Sequence, residues 1–543
     1  VRGAARVALD PGGPDTGAGG RPPRVRPLHD DGTPAGPVRE LPGPAAVAAL
    51  EAEHRPRWVL ARPRSYRRLL AAGVRLRRAH VVELVEGLLV AADGRAGAPH
   101  GLAAARDRAA GRVPAPDPAP DDGPPGLFDP GALGPGAGRD ELADVVAVHA
   151  AQRARPLDAR FALLVAAESA GGLVAEEMTA AGLPWSAEVH DALLTALLGP
   201  RPALGGPPPR QAELAAEVAA AFGRPVNPDS PAEVLRAFAR AGVELGTTRA
   251  WELRRVDHPA VAPLLEYKEL ARLHAAHGWG WLRTWVRPHG GGTGRFHPEY
   301  VVGGVVSGRW ATRGGGALQI PRALRGAVRA DPGCALVVAD AAQLEPRVLA
   351  ALSGDHALAP DAGDLYAALA VREFGGDRAS AKLALLSAVY GAAAGSAGEL
   401  VARLRRRFPA AMAYVDEAAR AGEEGRLVRS HLGRTCPPAR PGDEAPAAAR
   451  ARGRFTRNFV VQATAAEWAL VLLAELRAAL WDTPAELVFF QHDEVVLHCP
   501  ESSADAVAAA VQPAADVAAR RLFGATPVRF PLTARVVRAY DER

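Results

Sequence analysis

Phe489-Phe490-Gln491-His492-Asp493-Glu494-Val495-Val496-Leu497-His498 sets four polar residues between two apolar, strand-like runs. Four polar residues in a row do not belong in an ordinary core strand, so the stretch predicts a hairpin with strands over 487–490 and 495–498. The usual hairpin-turn residues Gly, Asn and Pro are missing. Two adjacent acids at a tight turn repel unless a cation compensates. That favours a divalent-metal site over a plain turn.

Working outward, a second strand ends on an acid: Cys334-Ala-Leu-Val-Val-Ala-Asp340-Ala-Ala-Gln343-Leu-Glu345-Pro346-Arg347. A helix is expected just after it, because Pro346 suits a first helical turn, where its missing N–H costs nothing. Alone, Asp340 reads as a turn residue. With Asp493 it forms a sufficient pair for a hard ion such as Mg²⁺, which uses one or two carboxylates plus substrate phosphates. Between the two acids lie helical blocks over 365–421 and 455–480. A strand, a long helical insertion and a hairpin suggest a sheet whose active residues come from distant sequence.

One segment of the insertion carries chemistry of its own: Asp377-Arg378-Ala-Ser-Ala-Lys382-Leu-Ala-Leu-Leu386-Ser-Ala-Val-Tyr390-Gly391. On a helix Arg378, Lys382, Leu386 and Tyr390 share one face. The bland reading is an amphipathic helix with a solvated basic end. The sharper one is a grip on a triphosphate, with the apolar end under a base.

Composition separates these readings. The chain has 65 Lys plus Arg, yet only Lys268 and Lys382 are Lys; Asn occurs at Asn227 and Asn458 alone, and Ile at Ile320 alone. This is the imprint of a GC-rich genome, which supplies Arg wherever any cation suffices. A surviving Lys therefore points to a need for its shape or titration. The net charge of +5 over 543 residues suits a polyanionic partner without demanding one. Cys334, Cys436 and Cys499 stand in no metal-ligand spacing and argue for a reducing cytoplasm. The first residues lack an apolar core, so no secretory signal is expected, and no stretch reads as long enough to span a bilayer.

The length predicts three or four packed units. Residues 1–112 read as a small α/β unit, with apolar runs at 57–60 and 81–90. Residues 113–138 are so rich in Pro and Gly that they read as a linker. Helical periodicity covers 140 to about 286, including runs at 161–177 and 211–222 and a capping box at Ser230-Pro-Ala-Glu233. A strand is expected over 301–306.

These segments resemble motifs A, B and C of the DNA polymerase I family, the family A polymerases. Asp340, Gln343, Glu345 and Arg347 match motif A in register. Arg378, Lys382, Tyr390 and Gly391 match motif B, and His492, Asp493 and Glu494 match motif C. Ser307-Gly308-Arg309-Trp310 and Leu318-Gln319-Ile320-Pro321 resemble two further elements of that family. So do Arg454, Asn458 and Gln462 at intervals of four, followed by Glu467; Asp364-Leu-Tyr366; and Phe408-Pro409. The resemblance spans 155–543, and the order and spacing of the motifs make it specific. It extends to the short actinobacterial members customarily called bifunctional 3′–5′ exonuclease/DNA polymerase.

The resemblance implies an α+β right-hand fold with a small N-terminal α/β exonuclease-like domain. It places helical connection and thumb at 139–299, palm at 300–343 and 444–543, and fingers at 344–443. It implies template-directed addition of deoxynucleotides to a primer 3′ end in DNA replication or repair, with primer–template DNA and deoxynucleoside triphosphates as partners. Two Mg²⁺ ions are expected on Asp340 and Asp493, with the backbone carbonyl of Ala341 and with Glu494 nearby. Arg378, Lys382, Leu386, Tyr390, Glu345 and Gln343 are the expected nucleotide contacts, and Lys382 is a candidate proton donor. Arg309, Gln319, Arg454, Asn458, Gln462 and His492 are the expected DNA contacts. A cytoplasmic monomer with no membrane association is expected.

Four departures from the family pattern stand out: Ala341-Ala342 in place of Tyr-Ser, Leu386 in place of an aromatic residue, no Asn after Gln319, and Gln491 before His492. None removes a metal ligand. They motivate one rival reading, a catalytically silent DNA-binding relative; a nuclease using the same acids is another. The N-terminal unit lacks the Asp-x-Glu with which such exonucleases begin, so proofreading is expected to be absent. No 5′-nuclease domain is expected within this length.

Overall fold

The computed structural model describes residues 5–13, 21–118, 140–203, 205–290, 293–359, 363–391 and 396–542. Of the expected linker, residues 119–138 lie outside that set. The chain divides into two compact units. The first comprises Val1–Ala181, Glu299–Arg313 and Val337–Val536; the second comprises Gly182–Pro298, Gly314–Leu336 and Val537–Arg543. The expected 139–299 block is therefore divided. Its first long helix, Ala159–Ala181, belongs to the first unit, because both of its faces are apolar and buried there.

In the first unit, five strands form an N-terminal sheet: β1 (Arg6–Asp10), β2 (Arg24–Leu28), β3 (Arg39–Glu40), β4 (Arg57–Leu60) and β5 (Arg78–Val81). Their order is β3-β2-β1-β4-β5, with β1, β4 and β5 parallel and β2 and β3 antiparallel. Alternate strand residues point to opposite faces. Val7, Leu9, Trp58 and Leu60 fill one core with Tyr66, and Ala8, Val59 and Leu28 fill another with Val145. The expected apolar run at 81–90 is two elements, the end of β5 and the helix Val82–Ala92.

The Ala159–Ala181 helix joins this sheet to the rest of the unit. Gly171 and Gly172 make the close approach possible. A Cβ on Gly171 would meet Leu470 at 2.7 Å, and one on Gly172 would meet Leu84 at 3.0 Å. Adjacent positions on a helix face different neighbours, so two glycines in a row let two layers close in.

The second sheet of this unit has the order Glu486–Gln491, Glu494–Pro500, Cys334–Ala341, Leu532–Val537. Its central strands are apolar and buried, and the Pro446–Ala479 and Ala504–Phe523 helices pack together beside it. The Pro446–Ala479 helix corrects the expectation that no stretch could span a bilayer. It is long and apolar enough, but 83% of its apolar window is buried inside the protein. The expected strand at 301–306 is also corrected. Glu299–Val301 pairs with Ala311–Arg313, and Gly303 and Gly308, both with φ near +60 to +80°, turn the chain between them.

In the second unit, helices Ala187–Leu198, Pro209–Ala221, Pro231–Arg240 and Val261–His277 enclose two apolar cores. Ser230 caps the third by accepting from the Glu233 N–H at 3.3 Å. Glu233 reaches past Ser230 to accept from the Asn227 N–H at 3.1 Å, so the capping box closes one turn earlier than its pattern predicts.

Candidate active site

The hairpin of the second sheet brings Asp493 to the end of the Cys334–Ala341 strand, where the Ala341 N–H donates to the Asp493 carbonyl at 2.9 Å. The turn has an unusual backbone. His492 has φ +59°, and the Asp493 N–H donates back to the Gln491 carbonyl at 2.7 Å. A three-residue turn of this hand is rare and strained for a residue with a side chain. Strain of this kind costs on the order of 1–3 kcal/mol and gathers at functional sites. It explains how the chain turns here without Gly or Asn.

Asp340 is exposed at its strand end, and Asp493 is partly buried. Burial, then the neighbouring Asp340 carboxylate, push the Asp493 carboxyl up to about 7; Arg309 opposes them. The sequence predicts crowding between Asp493 and Glu494; that repulsion is the smallest contribution here, and the larger one comes from Asp340, far away in the chain. Among the described residues, no group of three or more His, Cys, Asp or Glu is gathered as a metal cage.

Gln343 also has positive φ, +51°, and opens the Leu344–Ser353 helix. Its side-chain carbonyl accepts from the Leu365 N–H at 3.2 Å and from Arg347 at 3.3 Å, so it braces the chain at 364–365. Arg347 is fully buried and donates to the carbonyls of Ala342 and Gly363. Two turns of sequence are thus locked around the strand that carries Asp340.

Glu345 is a junction. Arg309 pairs with its Oε1, and the Tyr390 hydroxyl donates to its Oε2 at 3.1 Å. Gln462 in turn donates to the Tyr390 oxygen at 3.3 Å. Residues from 309, 345, 390 and 462 therefore meet in one network. Burial, then the Glu345 carboxylate, raise the Tyr390 hydroxyl, which stays protonated and able to donate. Burial and Arg309 lower His492, which favours its neutral form.

The helix Arg378–Tyr390 buries Ala381, Ala384, Leu385, Ala388 and Val389 and leaves Arg378, Lys382 and Tyr390 exposed, with Leu386 half-buried. Asp377 caps its start by accepting from the N–H groups of Ala379 and Ser380. Arg378 is held by Asp364 at 2.9 Å and lies over the Tyr366 ring at 5.5 Å. Asp364 was the residue that sequence reasoning missed as a partner; its only signal was its place before Leu365 and Tyr366. Lys382 has no hydrogen-bond or ion-pair partner among the described residues.

Along the Pro446–Ala479 helix, Arg454, Asn458 and Gln462 form a partly open stripe, beside the exposed Phe455, on a largely buried stretch, and the Asn458 side-chain oxygen has no hydrogen-bond partner. Arg457, one position off that stripe, is buried and pairs with Asp416 and the Ala388 carbonyl. Gln319 ends a short 3-10 turn of the second unit; its side chain lies outside the described residues.

With this geometry in view, the chain can be compared with known proteins. It is 28% identical to DNA polymerase I of Chloroflexus aurantiacus over 320 residues, 53% of this chain and 33% of that protein. It is 26% identical to the thermostable DNA polymerase I of Thermus aquaticus over 337 residues, 55% of this chain and 40% of that one. It thus spans about a third of the length of the curated relatives it matches. The POL domain of Pol1 from M. smegmatis, solved in complex with DNA primer-template and dNTP, superposes with a TM-score of 0.75. It is 19% identical, with 99% of this chain and 96% of that one covered, so the two share the right-hand polymerase fold. Residues 209–536 match the family model for DNA polymerase family A. That match takes in both strand-end carboxylates, the cationic helix face and more than half of the chain, so this protein belongs to DNA polymerase family A.

Proposed function

We propose that this chain is a DNA-directed DNA polymerase that adds deoxynucleotides to a primer 3′ end, in DNA replication or repair. The observation that carries the reading is the crowding of Asp340 and Asp493 beside the Arg309–Glu345–Tyr390–Gln462 network, which gathers chemistry from five separate stretches of sequence. The family, the fold and the M. smegmatis complex support it.

The residues fit a divalent cation. The donors are hard carboxylate oxygens, and the Asp493 carboxyl is held up first by burial and then by the neighbouring Asp340 charge, which a cation would neutralise. Asp340 and Asp493 would hold two Mg²⁺ ions, with the Ala341 carbonyl and Glu494 as further oxygen donors. When bound, such ions supply charge stabilisation to an attacking hydroxyl and a leaving pyrophosphate.

The protein's own groups do the rest. Arg378, fixed by Asp364, and Lys382 grip the triphosphate. Lys382 also hands a proton to the departing pyrophosphate, which Arg cannot do because its pKa exceeds about 12. Leu386 supports the base, and Gln343 positions the strand end from behind. Glu345 and Tyr390 form a wall where a ribose 2′-hydroxyl would sit. Arg309, Gln319, Arg454, Asn458, Gln462 and His492 track the duplex, and minor-groove acceptors shared by all correct pairs allow sequence-independent contact. We infer a cytoplasmic monomer without proofreading activity.

The test is primer extension on a primed template with Mg²⁺ and deoxynucleotides. Extension supports the reading. Template binding with neither extension nor shortening would instead favour the silent relative, which Ala341-Ala342 and Leu386 motivate; shortening would favour a nuclease.

A further inference from the structure

The parallel strands β1, β4 and β5 begin on arginines that stand in register: Arg6 opposite Arg57, and Arg57 opposite Arg78. Neighbouring strands lie about 4.8 Å apart, so three guanidinium groups start from one row. The Glu141–Arg153 helix ends beside them and adds Arg153, with Arg155 just beyond. Arg6, Arg57, His80, Gln152, Arg153 and Arg155 line a cavity of about 370 Å³. The floor is built. His80 and Gln152 are 7% and 4% exposed, and the His80 Nε2 is 2.8 Å from the Gln152 Oε1.

The acids nearby do not balance this charge. Asp30 lies 3.8 Å from Arg6, but its side chain is 83% exposed. Asp93 is taken up by Arg155 at 2.6 Å and by Arg95, and Glu86 by Arg108 and Gln152. Among the described residues, no carboxylate lies within ion-pair distance of Arg57, Arg78 or Arg153. The Nε of Arg6 is buried without a hydrogen-bond partner, its one ion pair being the long contact to Asp30. The Arg57 guanidinium is pushed down to about 10, first by burial and then by Arg6, Arg78 and Arg153. Like charges brought together at this spacing oppose folding. The arrangement is explained if an anion shares the cavity.

We propose that this cavity at the leading ends of β1, β4 and β5 is a second anion site, which takes a phosphate ester of mononucleotide size through Arg6, Arg57 and Arg153. Planar guanidinium forks match phosphate oxygens in pairs, and the volume falls in the range of small-ligand pockets, about 300–1,000 Å³. The site does not use the palm acids. It also lies away from Asp10, the last residue of β1, which Arg21 and Arg24 already hold.

The phosphate could belong to a free nucleotide or to a DNA terminus, and binding experiments separate the two. Equilibrium dialysis uses labelled dAMP, and a short oligo-dT with and without a 5′-phosphate, in EDTA. Both are measured on the full chain in an Arg378→Ala, Lys382→Ala background, so that the triphosphate grip does not contribute. Saturable binding of dAMP assigns a free nucleotide. Binding of only the phosphorylated oligonucleotide assigns a DNA end. In either case Arg153→Gln, at an exposed position, and Arg57→Gln should weaken binding at least tenfold. Each should also leave the ligand-free Tm unchanged or raised, since repulsion is relieved. Equal affinity in the background protein and both variants, or no saturable binding of any phosphate probe at millimolar concentration, overturns the proposal. Primer extension by the Arg153→Gln chain, in the otherwise native sequence, should stay at the native rate, which keeps this test separate from that of polymerase activity.

Discussion

The Tyr390 hydroxyl donates to the Glu345 carboxylate at 3.1 Å, and this one bond ties the end of the Arg378–Tyr390 helix to the helix that follows Asp340. Glu345 is also paired with Arg309. Removing its carboxylate strands a partly buried guanidinium and frees the tyrosine. Tyr390→Phe removes only the hydroxyl, and with it the bonds to Glu345 and from Gln462. We expect Glu345→Ala to lower incorporation of deoxynucleotides by about 10²-fold or more, on the scale of losing a charge-assisted hydrogen bond together with its positioning. Tyr390→Phe should cost less than tenfold. Both should raise the ratio of ribonucleotide to deoxynucleotide incorporation, read as relative kcat/KM. An unchanged ratio in both variants would remove the wall role.

Asp340→Ala and Asp493→Ala should each abolish extension while leaving the affinity for primer–template within a fewfold of the native protein. The carboxylates are proposed to hold cations, and the proposed duplex contacts lie on other residues. Gel-shift and single-turnover extension on the same preparations check this. Near-native extension by both variants contradicts the assignment.

Lys382→Arg should keep triphosphate affinity and lose turnover. The charge is preserved, but the proposed proton donor is replaced by a group that does not release its proton. The expected loss is about 10²–10⁴-fold in the rate at saturating nucleotide, with little change in apparent affinity. A purely electrostatic role gives the reverse pattern.

A mismatched primer end should not be shortened. Asp10, an acid of the N-terminal sheet at a strand end, is 3% exposed and clamped by Arg21 and Arg24, which leaves it poorly suited to ligate a metal. Metal-dependent shortening that persists in Asp340→Ala would show that this domain is an active nuclease.

Glu467 should give the fold a pH-dependent stability. It is fully buried, and burial pushes its carboxyl up to about 7 despite contacts with Ser430 and the Leu432 N–H. A carboxyl raised by folding is protonated in both states below about 4.5, so its contribution is fully present there. It is lost as pH rises from about 4.5 to 7, where only the unfolded state has released its proton. The loss is on the order of 3 kcal/mol at most. Glu467→Gln mimics the protonated form: its amide can donate to Ser430 and its oxygen can accept from Leu432. Urea unfolding at pH 5 and pH 8 should show the variant close to the native protein at pH 5 and more stable than it at pH 8. The same difference at both pH values would refute the assignment.

The sequence by itself determined the local chemistry of this protein. The strand ends carrying Asp340 and Asp493, the helix face of Arg378, Lys382 and Tyr390, and the Arg454–Asn458–Gln462 stripe are set by periods of two and four that any chain of these residues would follow. Only the tertiary structure decided the rest. That Glu345 bridges Arg309 and Tyr390, that Asp364 holds Arg378, and that Gln343 and His492 adopt left-handed backbone all depend on contacts between residues far apart in the chain. The arginine row is the clearest case. Arg6, Arg57 and Arg78 carry no shared pattern in sequence, because a parallel register is fixed by the packing of the sheet between its two apolar layers and not by the spacing of the residues it aligns.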